Sequence, residues 1–133
     1  MSRGLRNCNP GNIRQSRSNF KGEVRPSRDS AFKQFESMAY GYRAMFVLLN
    51  SYHKRYGLTT IREMISRWAP PSENFTEGYI RFVSERSGIA ADVEVDSRSE
   101  RDMVPIVAAM SEIENGAKAV MNDVYEGWKL FSK

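Results

Sequence analysis

The sequence predicts one mainly α-helical domain, and three observations support that prediction. The chain has 133 residues, of which 41% are hydrophobic and 27% are charged, values that are typical of a single globular domain. After position 37, most apolar residues recur at steps of three and four, the spacing of a helix face. Glycine or proline ends most of these segments, and no repeat or linker divides the chain. We therefore assign residues 1–133 to one domain.

The first 36 residues are rich in Asn, Gly, Ser and Arg, and they show no helical period. They predict loops and a short hairpin. The next segment predicts a helix from about Met38 to Tyr56, which Gly57 ends. One face of this helix carries the side chains expected to be buried, namely Tyr42, Met45, Phe46, Leu49, Tyr52 and Tyr56.

A short helix is predicted after Thr60. Thr60 and Glu63 form a capping-box pattern, in which the two side chains satisfy free amide groups of the first turn. The apolar residues that follow fall on one face, namely Ile61, Met64, Ile65 and Trp68. The helix must end at Ala69-Pro70-Pro71, because proline lacks an amide proton and restricts the residue before it.

A further helix is predicted from Asn74 or Thr76 to Gly88, with inward side chains Tyr79, Phe82 and Val83. Residues 89–99 are acidic and polar, which indicates a loop.

Two more helices complete the prediction. One runs from about Ser99 to the cap Gly116, and Pro105 lies near its first regular turn or kinks it. Its buried face carries Met103, Ile106, Val107, Met110 and Ile113. The last helix runs from about Ala117 to Phe131, and its predicted buried side chains are Val120, Val124, Trp128 and Phe131.

Composition excludes several classes of function. A single cysteine, Cys8, and a single histidine, His53, leave no disulfide framework and no Cys/His zinc site, so we expect no metal. No local signature makes these two residues a cysteine-protease pair. No phosphate loop or dinucleotide fingerprint occurs, so we expect no cofactor. No apolar run is long enough to span a membrane.

The charge balance suits an anionic partner without identifying it. Twenty basic and 16 acidic residues give a net charge of +4, which fits nucleic acid or an acidic cell wall. Basic residues cluster before position 29, but no nucleic-acid motif accompanies them, so we expect no specific nucleic-acid partner. No apolar run follows the N-terminus, which predicts synthesis in the cytoplasm without a signal peptide.

Glu114 is the first candidate for chemistry. It lies in the last turn of a predicted helix, where the negative end of the helix dipole disfavours the ionised carboxylate. Burial there would raise its pKa further, as a general acid requires near neutral pH. The alternative is a solvated glutamate at a helix end, which is the commoner case.

Two other segments carry candidate binding residues. Asn7–Ile13 combines three asparagines with proline and glycine in a rigid turn, whose Asn9 and Asn12 amides could hold a sugar N-acetyl or hydroxyl group. Trp68–Tyr79 offers aromatic faces for sugars and a hydroxyl that could orient a carboxyl group. It also contains the polar pair Glu73 and Asn74. The alternatives are a structural turn, a helix cap, and core positions for Trp68 and Tyr79.

Several short segments along the chain form a pattern when they are taken together. They are Arg3–Arg14, Phe20–Gly22, Phe32–Ser37, Gly41–Ala44, Thr60-Ile61, Arg67–Pro70, Glu73-Asn74, Tyr79-Ile80 and Glu114–Gly116. In this order they resemble a family of phage and prophage virion proteins with lysozyme-like or lytic-transglycosylase-like character. The chain departs from the family pattern with Cys8 in place of Asn and Phe20 in place of Trp. Separately, Ala109–Gly116 resembles the helix that ends in the catalytic glutamate of soluble lytic transglycosylases and bacterial glucosaminidases.

This resemblance implies a peptidoglycan-cleaving glycosidase, a lytic transglycosylase or a lysozyme, with Glu114 as general acid and base. Asn9, Asn12, Glu73, Asn74 and Tyr79 would bind substrate, with Tyr79 also orienting Glu114. Because these segments precede the glutamate helix, we hypothesise a circularly permuted lysozyme-like fold.

The resemblance also implies a monomer that acts in the periplasm or cell wall, carried in the virion with other virion proteins. A lysozyme would normally need a second carboxylate, and the sequence offers three candidates, Glu23, Glu36 and Glu73. Two alternative functions stay open: a peptidase for the wall cross-links, and a non-catalytic virion or wall-binding module.

Overall fold

Six helices and one two-stranded sheet are present in the computed structural model, which describes residues 1–72 and 74–133. In chain order they are α1 (Arg3–Arg6), β1 (Glu23–Val24), β2 (Gln34–Phe35), α2 (Met38–Tyr56), α3 (Ile61–Trp68), α4 (Thr76–Ser87), α5 (Glu100–Asn115) and α6 (Met121–Ser132). The predicted mainly helical single domain is confirmed. No helix of the described residues is both long enough and apolar enough to cross a membrane.

The N-terminal segment forms the predicted hairpin and one helical turn that was not predicted. The strands β1 and β2 pair antiparallel, with Glu23 opposite Phe35. The turn α1 begins after Ser2, whose hydroxyl accepts the Leu5 amide proton at 3.2 Å. A single turn is too short to show an apolar period, so its absence from the prediction follows from its length.

A buried ion pair holds this segment together. The side chains of Lys33 and Glu23 are only 1% and 4% exposed, and Lys33 Nζ lies 3.0 Å from a Glu23 carboxylate oxygen. The same ammonium group donates to the backbone oxygens of Ser16 and Ser18. These acceptors satisfy a charge that burial would otherwise make costly.

The core lies between α2, α5 and α6. Helix α2 has the predicted bounds, and Gly57 ends it in the left-handed conformation. Helix α5 is buried around most of its circumference, as expected for a central helix. The Phe46 ring of α2 meets Trp128 edge-on, with centroids 5.0 Å apart, and stacks on Phe131.

The shorter helices α3 and α4 pack beside this core. The predicted capping box at Thr60 and Glu63 is present, and Gly88 ends α4 in the left-handed conformation. Residues 89–99 form the predicted loop, and Val95 anchors it by donating its amide proton to the Thr59 oxygen. In this arrangement α4 packs against α5.

Two predictions of detail need correction. Tyr56 is 50% exposed, because it lies in the last turn of α2 beyond the packed core. Val120 is 62% exposed: α6 begins only at Met121, so Val120 precedes the helix and does not share the face of Val124. Pro105 lies inside α5, five residues after Glu100.

Candidate functional site

Glu114 lies in the last turn of α5, and two side chains hold its carboxyl group. Asn12 Nδ2 donates to Oε1 at 2.9 Å, and Tyr79 Oη donates to Oε2 at 3.0 Å. The three residues come from the N-terminal segment, α4 and α5, and the fold brings them to one point. The predicted proximity of Glu114 to both the asparagine segment and Tyr79 is therefore confirmed.

Burial raises the pKa of Glu114 above its ordinary value. The hydrogen bonds from Asn12 and Tyr79, together with the Trp68 indole, act in the opposite direction, because they favour the ionised form. All three groups are neutral. The carboxyl group therefore keeps its proton to a higher pH than an exposed glutamate does, and it also has donors ready when that proton leaves.

The carboxyl group opens into a cleft of about 430 Å³. One wall comes from the N-terminal segment and the other from the end of α3 and the turn that follows. The apolar and aromatic lining residues are Ile13, Phe32, Leu48, Tyr52, Trp68 and Pro70. The polar ones are Asn12, Arg14, Arg67, Asn74 and Glu114. A mixed lining of this kind suits a sugar, which has apolar faces and polar edges.

The structure does not support the expectation that Asn9 binds substrate. Its side chain is fully buried, and it donates to the backbone oxygens of Ile13 and Lys33 at 2.9 Å each. Its Oδ1 accepts the Ile13 amide proton, also at 2.9 Å. With its donors and acceptor all used by the backbone, Asn9 holds the turn that presents Asn12.

Asn12 lies in the cleft, and its Nδ2 donates to Glu114. The residue has a φ of 49°, in the left-handed region that asparagine tolerates better than most residues. That backbone conformation directs Nδ2 to Glu114. The structure therefore places Asn12 against the Glu114 carboxyl group, a contact that was not predicted, and its contact to a substrate amide stays a prediction.

Asn115, which the sequence analysis did not single out, joins α5 to the N-terminal segment. Its Nδ2 donates to the backbone oxygens of Pro10 and Ser111, both at 2.9 Å, and its Oδ1 accepts from the Ser2 hydroxyl at 2.7 Å. The residue next to the acid thus fixes the loop that carries Asn12. No local pattern signals this, because the partners in the N-terminal segment, Pro10 and Ser2, lie over 100 positions away.

Tyr79 is buried, as its helical spacing predicts, whereas Trp68 is less buried than its spacing suggested. Tyr79 is only 7% exposed, so it can orient Glu114 but offers little surface to a substrate. Trp68, interpreted alternatively as a core residue, is half-buried and lines the cleft. Its ring lies edge-on to Tyr52, with centroids 6.3 Å apart. Tyr52, predicted as buried core, also reaches the cleft wall.

The candidate second carboxylates do not meet Glu114 in the described residues. Glu23 belongs to the buried ion pair: although burial acts to raise its pKa, the Phe20 amide and the Lys33 and Arg25 cations hold that pKa below its ordinary value. Glu36 is exposed and does not line the cleft. Glu73 lies outside the described residues. Within residues 1–72 and 74–133, Glu114 is the one carboxylate that lines this cleft.

Asn74 lies at the exposed rim of the cleft, where its Nδ2 donates to the Pro70 oxygen at 3.3 Å. Cys8 is half-buried, His53 is exposed, and neither lines the cleft. Among the described residues, no group of three or more His, Cys, Asp or Glu side chains could hold a metal ion.

Two cleft residues, Arg14 and Arg67, were not proposed as binding residues from the sequence. Arg14 belongs to an early cluster of arginines whose partner the sequence leaves open, and Arg67 lies on the polar side of the short α3 helix. The signal that could have found Arg67 is its position directly before Trp68, at the end of a helix that proline terminates.

Comparison with known proteins gives a relative from a phage. No known family profile matches the chain. The chain is 35% identical over 125 residues to Protein P5 of Pseudoalteromonas phage PM2. The match covers 92% of this chain and 76% of the phage protein.

Proposed function

This chain belongs to the family of Protein P5 of Pseudoalteromonas phage PM2, and we propose that it is a glycosidase that cleaves the glycan strands of bacterial peptidoglycan. The observation that carries the proposal is the environment of the Glu114 carboxyl group. This carboxyl group has a raised pKa, is held by Tyr79 and Asn12, and opens into an aromatic-lined cleft. A general acid for glycoside cleavage needs these properties.

In the proposed reaction, Glu114 donates its proton to the oxygen that joins two amino sugars. The bond from C1 to that oxygen breaks, the electron pair leaves on the oxygen, and C1 passes through an oxocarbenium-like transition state. The Glu114 carboxylate that remains accepts hydrogen bonds from Asn12 and Tyr79, and the Trp68 indole also favours its ionised form. These donors stabilise the charge that appears when the proton leaves.

The second half of the reaction regenerates the acid. The Glu114 carboxylate accepts the proton of the sugar's own 6-hydroxyl group, whose oxygen forms the new bond to C1. The product is a 1,6-anhydro sugar, and no water is consumed. We favour this transglycosylase reaction over hydrolysis because no second carboxylate of the described residues lines the cleft, and glycoside hydrolysis usually uses two.

We also propose that the helices form a lysozyme-like fold in circularly permuted order. The support is the position of Asn12 and Tyr79, which precede Glu114 in the chain yet both contact its carboxyl group. Because a relative comes from a phage, we further propose that the protein is made in the host cytoplasm and carried with other virion proteins. It would then act on the periplasmic cell wall during infection or lysis.

The test is mass spectrometry of purified peptidoglycan after digestion with the wild-type protein and with Glu114→Gln. We expect anhydro-muropeptides from the wild type and at least a hundredfold fewer from Glu114→Gln, since general acid catalysis contributes about 10²- to 10⁴-fold. Reducing-end muropeptides would mean hydrolysis in place of transglycosylation.

Glu112→Gln is the matched control. Glu112 lies two residues before Glu114 on the same helix, but it pairs with Arg86 at 2.9 Å and does not line the cleft. Its substitution should leave the product yield unchanged. Equal cleavage by wild type and Glu114→Gln would show that Glu114 is not the acid. New stem-peptide amines without new sugar ends would indicate a peptidase, and binding without cleavage would indicate a wall-binding module.

A further inference from the structure

We infer that Arg14 and Arg67 form a carboxylate-binding pair in the cleft. The substrate is therefore a glycan whose muramyl units carry acidic peptide stems, and not an uncharged amino-sugar polymer. This inference rests on the proposed function, because it concerns recognition by the same cleft. It adds a recognition element to a site whose other lining groups, among the residues that the structure describes, are uncharged when Glu114 is protonated.

Aromatic side chains hold both guanidinium groups against the cleft walls. The Arg14 Cζ atom lies 5.2 Å from the centroid of the Phe32 ring, and the two residues also form a β-bridge. The Arg67 Cζ atom lies 3.9 Å from the Tyr56 ring centroid and 5.3 Å from that of Tyr52. Contact with an aromatic face restricts the arginine side chain and leaves the edge of the guanidinium group free for an anion.

Neither arginine forms an ion pair with a carboxylate in residues 1–72 and 74–133. Other cations in this part of the chain do so, namely Arg3, Arg25, Lys33, Arg62, Arg86 and Lys129. The hydrogen bonds of the described residues likewise show no acceptor for the Arg14 or Arg67 side chain. The two cleft cations therefore have donors available for a ligand.

The charge of the cleft favours an anionic ligand. Burial keeps Glu114 protonated to higher pH, so at the pH where it serves as an acid the charged groups of the described lining are Arg14 and Arg67.

Carboxylate is the anion that fits this arrangement. A guanidinium group presents parallel N–H donors that match a carboxylate in two hydrogen bonds. In peptidoglycan, the stem peptides bring carboxylates close to the cleavable bond, whereas an unmodified N-acetylglucosamine polymer has none. The arginine pair would therefore select peptide-bearing glycan by charge and geometry.

The experiment measures binding of a soluble disaccharide-peptide muropeptide to Glu114→Gln by calorimetry, since this variant holds the ligand uncleaved. The same muropeptide with its carboxylates converted to amides serves as the uncharged ligand. We expect Kd to rise at least about tenfold on amidation. We expect a similar rise for the acidic ligand when Arg14→Gln or Arg67→Gln is added to Glu114→Gln. When all three substitutions are combined, we expect no further rise on amidation.

Arg55→Gln is the matched control, since Arg55 is an exposed cation on α2 that does not line the cleft. It should bind both ligands as the parent does. Equal Kd values for the acidic and amidated ligands would overturn the inference, as would loss of binding in Arg55→Gln equal to that in the cleft variants. Anhydro-muropeptide release by the wild type tests the glycosidase separately, so a cleaving enzyme that ignores carboxylates would refute only the arginine pair.

Discussion

Replacing Gly41 with alanine should destabilise the protein and disturb Glu114, although Gly41 lies far from the acid in sequence. Gly41 is buried in α2, where the N-terminal segment crosses the helix. A Cβ atom there would overlap the Cys8 carbonyl oxygen and lie 2.6 Å from Cδ of Pro10. Both neighbours belong to the backbone or ring of the segment that carries Asn12, so neither can rotate away.

The magnitude follows from two opposing effects. Alanine in a helix interior is favoured over glycine by up to about 1 kcal/mol. Overpacking against atoms that cannot move aside typically costs about 1–3 kcal/mol. We expect Gly41→Ala to lower the free energy of unfolding by about 1–2 kcal/mol. We also expect the shifted segment to weaken the Asn12 hydrogen bond and raise the pKa of Glu114 further, because that bond favours the carboxylate.

Gly78→Ala is the matched control within another helix. Its new Cβ atom would meet the Phe75 ring, which is 83% exposed and can turn into solvent. Urea unfolding at equilibrium should show Gly78→Ala to be as stable as the wild type or slightly more so, and NMR titration of the Glu114 carboxyl group should show an unchanged pKa. If Gly41→Ala matches Gly78→Ala in both measurements, the close contact does not position Asn12.

Three further predictions concern charged groups. Glu114→Gln should gain stability relative to the wild type as pH rises above about 4.5. Above that pH the native wild-type carboxyl group retains a proton that the unfolded chain loses, so the free energy of unfolding of the wild type falls. The fall is about 1.4 kcal/mol for each unit by which the native pKa is raised. Unfolding curves at pH 4 and pH 8 would test this, and an unchanged difference between the two proteins would contradict it. Tyr79→Phe should raise the pKa of Glu114, because it removes a donor that favours the carboxylate, and should move the alkaline limb of the pH–rate profile to higher pH. Movement of that limb to lower pH would refute the assigned hydrogen bond. Lys33→Ala should lower the free energy of unfolding by about 3–5 kcal/mol, because it leaves the Glu23 carboxylate buried without its buried partner. Arg25→Ala removes a half-exposed partner of the same carboxylate and should lower it by no more than about 1 kcal/mol. Thermal unfolding of both variants would show whether the two losses of stability differ.

The helices were predictable from the sequence because their signals are local. The bounds of α2 and its Gly57 cap follow from apolar spacing and one glycine, and the capping box at Thr60 follows from two residues. Val120 shows where such reasoning ends: it has the right spacing from Val124, but the chain is not yet helical there. Spacing identifies a helix face only where the helix has begun.

The candidate site was predictable in part. The end of a helix and its apolar stripe pointed to Glu114, and a resemblance added Tyr79. The roles of Asn9 and Asn12 could not be separated, because both are turn asparagines and only the tertiary contacts make one of them structural. The burial of Lys33 was equally hidden, since lysine is expected at the surface unless a partner is known.

The contacts around the Glu114 carboxyl group also determine when the site can form during synthesis. Asn12 is 102 residues from Glu114, and Ser2 is 113 residues from Asn115. During synthesis, the N-terminal segment leaves the ribosome long before α5 exists to receive it. A nascent chain therefore contains no formed site. An enzyme with the function proposed here would stay inert in the cell that makes it until almost all of the chain has been translated and folded.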